Sequence, residues 1–375
     1  MTHKSWLGLA LLPVLSSTAF AQDVDFSGDL RFGFASLDRE DRNGLNSDDS
    51  QFNLRVRAGM QWNISEIYSA KIRVAATGND SDFSGDLKFY TELPAGASSI
   101  EPGDMTIDEL YVRARYGNWD HKVGRFQFSN ALVGVPAKSM SRMNSNSWNV
   151  SWTDGLHSQF SAGDGWKYNF IIEHATEDGP TTVRRSPLNY QSSQSRATYY
   201  ASVDKSDEDG LFLQRSVDVT VIPSALYYNG VAAGDKTDYV AVSARLGLQW
   251  ALRGESRFVA GVEVGHAPDT PTSAAMGLPG SGDSDGNAWQ ISLNVMDLAP
   301  GHSIGLVHGE NDAGWLLSTD FTNNQSLTEF RYNWRPMSRH LFQFRLRERE
   351  DLIQRSTAVR KRNDVDYYIR YSISL

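Results

Sequence analysis

The chain of 375 residues has no cysteine, so no disulfide contributes to its stability. Beyond Ala21 no stretch reaches the ~18 consecutive apolar residues of a membrane-spanning helix, and no region sustains a helical period. Catalytic signatures are missing as well: there is no G-x-S-x-G, no H-E-x-x-H and no phosphate-cradling glycine loop. The eight histidines are scattered. "DSDGN" (283–287) opens like a calcium loop, but Ala288 stands where glycine is needed and Asn294 where glutamate is needed. These absences lead us to expect no enzyme activity, no metal and no cofactor. Nothing points to a nucleic-acid partner.

The first 21 residues, "MTHKSWLGLALLPVLSSTAFA", carry Lys4, an apolar run from Trp6 to Leu15 and the small-residue exit Ala19-Phe20-Ala21. That is the layout of a cleaved secretory signal peptide. The apolar run of ~10 residues is too short to cross a bilayer, which takes ~20 as a helix. The expected organisation is a signal peptide over 1–21 and one mature domain over 22–375. Its formal charge is −10, the chain's −9 less the one positive charge of Lys4.

What the sequence has in quantity is a period of two. Phe26, Leu30, Phe32 and Phe34 alternate with Asp25, Ser27, Asp29 and Arg31. In "SQFNLRVRAGMQWNI" (50–64), Phe52, Leu54, Val56, Ala58, Met60 and Trp62 alternate with Asn53, Arg55, Arg57 and Gln61. The same pattern returns over 68–74, 109–116, 166–173, 240–250, 258–264, 289–295, 328–334 and 365–375. Some junctions are tight: "NISE" (63–66), "GNWD" (117–120), "GDG" (163–165), "LRGES" (252–256), "DLAPGH" (297–302) and "RPMSR" (335–339). Others are long and polar: 37–49, 78–104, 129–146, 175–210, 267–286, 310–325 and 350–363.

Short and long connections in alternation describe an up-and-down meander with one rim of turns and one rim of loops. A strand pair on either side of Pro223 within 211–230 brings the count to about sixteen, the even number that single-chain bacterial barrels require. An open sheet of this size would leave two unpaired edges, which lipid cannot hydrate. The fold class expected is therefore all-β: a transmembrane antiparallel up-and-down β-barrel of about 16 strands with a water-filled lumen. Trp62, Tyr116, Trp250, Trp334 and Tyr371 fall near the strand ends, like the aromatic girdles of membrane barrels. A soluble β-sandwich also alternates, but it explains neither the uniform strand length nor the alternation of loop lengths.

In such a barrel one register faces lipid and the other faces water. The inward register collects Arg31, Arg55, Arg57, Lys71, Arg73, Arg113, Arg115, Lys167, Arg245, Arg331, Arg345, Arg347 and Arg370. Against them stand Asp29, Glu109, Glu173, Glu263, Glu329 and Asp366. The remaining acids gather in segments such as "LDREDRNGLNSDDS" and "DKSDEDG". A passage lined by one sign of charge concentrates the opposite ion, and arginine holds carboxylate, sulfate or phosphate with a planar fork. Candidate pore-lining, anion-binding residues are Arg31, Arg55, Arg57, Arg73, Arg113, Arg115, Arg345 and Arg347. The competing reading is that these arginines simply pair with lumen acids, although the excess of bases leaves several without a partner. The segment 129–146 carries Lys138 and Arg142, no acid and several apolar residues. It is a candidate constriction loop, with an ordinary outward loop as the alternative. Charge reversal at Arg55 is expected to spare folding and weaken anion preference, whereas Leu54→Asp should lower folding yield.

"GDLRFGF", "LRVRAGMQW", "DELYVRARYGNWDHKVGRFQF" and "HLFQFRLRERED" resemble strands of Gram-negative outer-membrane porins of the phosphate-selective and alginate-export groups. The resemblance spans the mature chain as an architecture and implies a cell outer membrane location among lipid and lipopolysaccharide. It also implies an arginine-lined pore that passes small anionic solutes passively. Homotrimers are common in the first group and monomers in the second. Such barrels usually end in phenylalanine, whereas "YYIRYSISL" ends in Leu375. Two other functions remain open: a channel for an anionic oligo- or polysaccharide, and a barrel-borne enzyme or adhesin acting through its loops.

Overall fold

The computed structural model describes residues 23–83, 86–88, 99–143, 148–175, 196–227 and 236–375. The signal peptide expected over 1–21 lies outside the described residues. So do parts of three connections: 84–85 and 89–98, 144–146, and 176–195.

The described residues form seventeen strands. The first six are β1 (Val24–Glu40), β2 (Asn46–Asn63), β3 (Tyr68–Asn79), β4 (Asp86–Leu87), β5 (Asp104–Tyr116) and β6 (Trp119–Phe126). β7 (Thr153–Ser161), β8 (Trp166–Ala175), β9 (Arg196–Ser206), β10 (Phe212–Tyr227) and β11 (Lys236–Ala251) follow. The set closes with β12 (Arg257–His266), β13 (Asn287–Ala299), β14 (His302–Asn311), β15 (Gln325–Met337), β16 (His340–Asp351) and β17 (Asn363–Ser374). β4 is a two-residue parallel hook on β5. The other sixteen pair antiparallel in chain order, and β17 pairs with β1, so the wall is a closed barrel of sixteen strands. Closure leaves the wall no unpaired backbone edge, the condition for a sheet in lipid.

The two registers separate as the period of two requires. On β2, Val56 is 39% exposed on the outer surface while its neighbour Arg55 is 0% exposed on the inner one. Phe52, Met60 and Trp62 share the outer face with Val56. Phe32 and Phe52 stack there at 5.8 Å between ring centroids. Trp62, Tyr116, Trp250 and Trp334 are all exposed. Rings cluster at the short-turn ends of β15 to β17, where Trp334–Phe342 and Phe342–Tyr371 lie 5.2 and 4.8 Å apart.

Four local expectations change. The region around Pro223 is one strand, β10, not two: the chain bulges between Ile222 and Leu226, with Ser224 at φ 51°, and pairing with β11 resumes beyond. Proline cannot donate to the ladder, and a bulge is where a sheet tolerates that loss. A strand read as loop compensates in the count, because β9 lies within the polar stretch 175–210. The connection 37–49 is also shorter than its polarity suggests. β1 and β2 continue pairing as far as Glu40↔Asn46. Finally, β5 bulges at Asp108: Arg73 pairs with Glu109 and Val74 with Ile107. The extra residue turns two consecutive carboxylates, Asp108 and Glu109, to the inside.

Candidate functional site: the lumen

Residues 129–143, after β6, fold into the barrel rather than away from it. Leu132, Val135, Lys138, Ser139, Met140, Ser141 and Arg142 are all buried. The apolar part settles in a trough made by inward-facing glycines. A Cβ on Gly247 would lie 2.5 Å from Val133 Cγ1, one on Gly261 3.0 Å from Leu132 Cγ, and one on Gly305 2.6 Å from Pro136 Cδ. Gly247 and Gly261 face each other across β11 and β12, and Asn294 faces Gly305 across β13 and β14. Any larger side chain in these places would fill the space the loop occupies.

Side chains of the wall, and Asp320 of a facing segment, then satisfy the loop's polar backbone. Val133 N donates to Gln214 Oε1 at 2.9 Å, and Val135 N to Asn294 Oδ1 at 2.8 Å. Ser139 N donates to Asp320 Oδ2 at 3.0 Å and Met140 N to Glu263 Oε1 at 3.1 Å. A second inward segment, 312–324, buttresses the first. Trp315 is fully buried against Gly265, and its Nε1 donates to Met140 O at 2.8 Å. With Ile222, Leu226, Tyr239, Phe321 and Leu327 these residues form an apolar core inside the barrel. One side of the lumen is thereby filled.

Lys138 and Arg142 are the struts of this packing. Lys138 Nζ meets Glu329 Oε2 at 2.8 Å, and Arg142 binds Glu173 through both nitrogens of its fork, at 3.0 and 2.6 Å. Both cations are 1% exposed. Residues 129–143 thus supply an inward loop, with their two bases spent on wall carboxylates rather than offered to the lumen.

The other side of the lumen, from β15 through β17 and β1 to β3, is basic. Arg31 faces Arg55 directly across β1 and β2, and Arg331 faces Arg345 across β15 and β16. Like charges in such positions repel unless counter-ions intervene. Here each carboxylate serves several bases. Asp29 contacts Arg55 at 2.9 Å and Arg31 and Arg57 at 3.8 Å. Asp108 holds Arg57 at 3.0 Å and Arg73 at 2.8 Å. Asp366 pairs with Arg345, with Arg347 at 2.6 Å and with Arg349 at 3.9 Å. Tyr368 lies between Arg345 and Arg370, with guanidinium-to-ring distances of 4.2 and 4.8 Å. Its ring faces both cations without adding charge.

The sequence-derived set therefore divides. Arg31, Arg55, Arg57 and Arg73 form one run joined by Asp29 and Asp108, and Arg345 and Arg347 continue it beyond β17. Arg113 and Arg115 stand apart near the short-turn rim, both held by Asp120 on β6, Arg113 through Nε at 2.7 Å and Arg115 at 3.8 Å. The expectation that several bases lack a partner does not hold for these eight. Each has an acid within ion-pair distance, partly because Asp108 and Asp120 also point inward. What the wall retains is a surplus of charge: Arg31, Arg55, Arg57, Lys71, Arg73, Arg345 and Arg347 share Asp29, Asp108, Glu109 and Asp366.

Between the basic wall and the loop lies a cavity of ≈ 430 Å³, bounded by Arg31, Arg331, Arg335, Arg339 and Arg370 with Ala137 and Met143 opposite. Arg335 and Arg339 flank the turn "RPMSR". Arg335 continues the inward phase of Arg331 and Asn333 near the end of β15, a signal present in the sequence. Among the described residues no group of three or more histidine, aspartate or glutamate side chains is placed to hold a metal ion.

No family model matches the sequence, and no curated protein matches it. Solved structures do share its fold. OprB of Pseudomonas putida matches with a TM-score of 0.61 at 10% identity, over 94% of each chain. OccK8 (OprE) of Pseudomonas aeruginosa gives 0.54 at 12%, covering 95% of this chain and 99% of that one. The anion-selective porin from Comamonas acidovorans gives 0.54 at 11%, covering 94% and 99%. The fold is that of the Gram-negative outer-membrane porins.

Proposed function

We propose that this chain is an outer-membrane porin through which small hydrophilic solutes diffuse passively, with anions preferred. The observation that carries the reading is the sharing of carboxylates on one wall: Asp29, Asp108 and Asp366 each serve two or three arginines. Paired one to one, these groups would present a neutral surface. Shared, they leave net positive charge beside a water-accessible cavity with low-dielectric walls, which concentrates anions.

Four further points support it. The apolar outer register suits a bilayer, and the leader-like 1–21 suits export. The short turns then lie at the periplasmic rim and the long loops outside. The inward loop narrows the bore, which favours small solutes over an anionic polysaccharide. The Comamonas protein of like fold is itself described as anion-selective.

Liposome swelling tests the proposal. Vesicles holding the purified protein should admit a small organic anion faster than a neutral sugar of similar size, and the sugar faster than a matched cation. A cation that leads would overturn the preference, and vesicles that admit nothing would overturn the channel.

A further inference from the structure

We infer that the cavity at the short-turn rim is a binding subsite for small anions carrying two or more negative charges. The inference rests on the anion-preferring reading above and adds where a solute dwells and what charge holds it there. Among the described residues five arginines line this space, and Asp29 is its only carboxylate. Asp29 is already engaged, its closest contact being Arg55 at 2.9 Å.

Three other cations of the cavity, Arg331, Arg335 and Arg339, are under-compensated. Arg335 and Arg339 are exposed and have no acidic side chain within ion-pair distance among the described residues. Arg331 shares Glu329 with Lys138, and its buried Nε has no hydrogen-bond acceptor among the described residues. Arg370 donates through Nε to Gln343 Oε1 at 3.0 Å and is held at the cavity wall. Planar forks converging on one space suit an oxyanion, which accepts hydrogen bonds on several oxygens at once. The volume falls in the usual range for small-ligand pockets, about 300–1,000 Å³.

Charge should matter more than shape here. Coulomb attraction scales with ligand charge, so a second charge on an ion of the same form doubles it. Sulfate and perchlorate are both tetrahedral oxyanions, and they differ in charge. Each is titrated against the chloride current of single wild-type channels in dilute salt, with the reversal potential recorded in the same channels.

Sulfate should reduce the current saturably, with a half-blocking concentration at least about tenfold below that of perchlorate. Arg335→Gln with Arg339→Gln should raise the sulfate value by about tenfold. Should the double variant fail to insert, Arg339→Gln alone carries the test with a smaller shift in the same direction. Equal potency of the two ions, or no saturable block in an anion-preferring channel, overturns the subsite and leaves the parent reading standing. Sulfate block that survives the replacements overturns the assignment to this cavity. A cation-preferring reversal potential overturns the parent reading itself.

Discussion

Lys138 Nζ lies 2.8 Å from Glu329 Oε2 with both side chains sealed from solvent, and the same carboxylate also binds Arg331. One residue of the wall thus anchors the inward loop and balances the basic face beside it. A buried ion pair that loses one partner leaves an uncompensated charge, typically costing about 3–5 kcal/mol. Glu329→Gln strips two cations and should fall at the upper end of that range. Lys138→Met leaves Glu329 with Arg331 and should cost less. Guanidinium unfolding midpoints of the refolded barrels give the order, and equal shifts would contradict the shared role.

The glycine trough makes a separate claim. Gly247→Val places its first carbon 2.5 Å from Val133, closer than packed atoms approach. Overpacking typically costs about 1–3 kcal/mol, so the loop should lift while the wall still closes. Single-channel conductance should rise well above wild type. A channel of unchanged conductance would show that the loop does not narrow the pathway from this trough.

Opposite faces of β2 should respond differently. Val56→Arg puts a charge into lipid, where it costs about 2–4 kcal/mol near mid-membrane, and should lower folding yield. Arg55→Gln should fold, since Arg31 and Arg57 remain to balance Asp29. Arg55→Asp differs from what the sequence alone suggests. It would set a carboxylate against Asp29 in a position without solvent contact, so it should fold as poorly as Val56→Arg. Folding yields by gel mobility decide, and a well-folded Arg55→Asp would mean that this site is wetter than its burial implies.

Much of this was legible because a barrel wall obeys one local rule. The alternation of Arg55 and Val56 needs no knowledge of the rest of the chain, and closure follows from having edges in lipid. Inference failed where the rule is broken locally or where long-range packing decides. Asp108 reads as outward by strict alternation, and only the bulge opposite Arg73 turns it in. That single shift adds an acid to the basic run. The polar stretch 196–206 reads as loop, although its inward residues are hydrogen-bonded by partners far away in sequence, as Asp204 is by Asn169 and Asn130. Gly247, Gly261 and Gly305 look like ordinary strand glycines until Leu132, Val133 and Pro136 are seen to need the space. The inward course of 129–143 was one of two open readings, and burial of its apolar residues in that trough selects it.

The central claim is net positive potential along one wall of the lumen, and zero-current reversal potential measures it most directly. Across a tenfold KCl gradient in dilute solution, the side with more salt should become positive, because chloride crosses faster than potassium. Raising both sides towards molar salt should shrink the effect as the Debye length falls from ~10 Å at 0.1 M to ~3 Å. A reversal potential of opposite sign, or an anion preference that ignores ionic strength, would contradict the account.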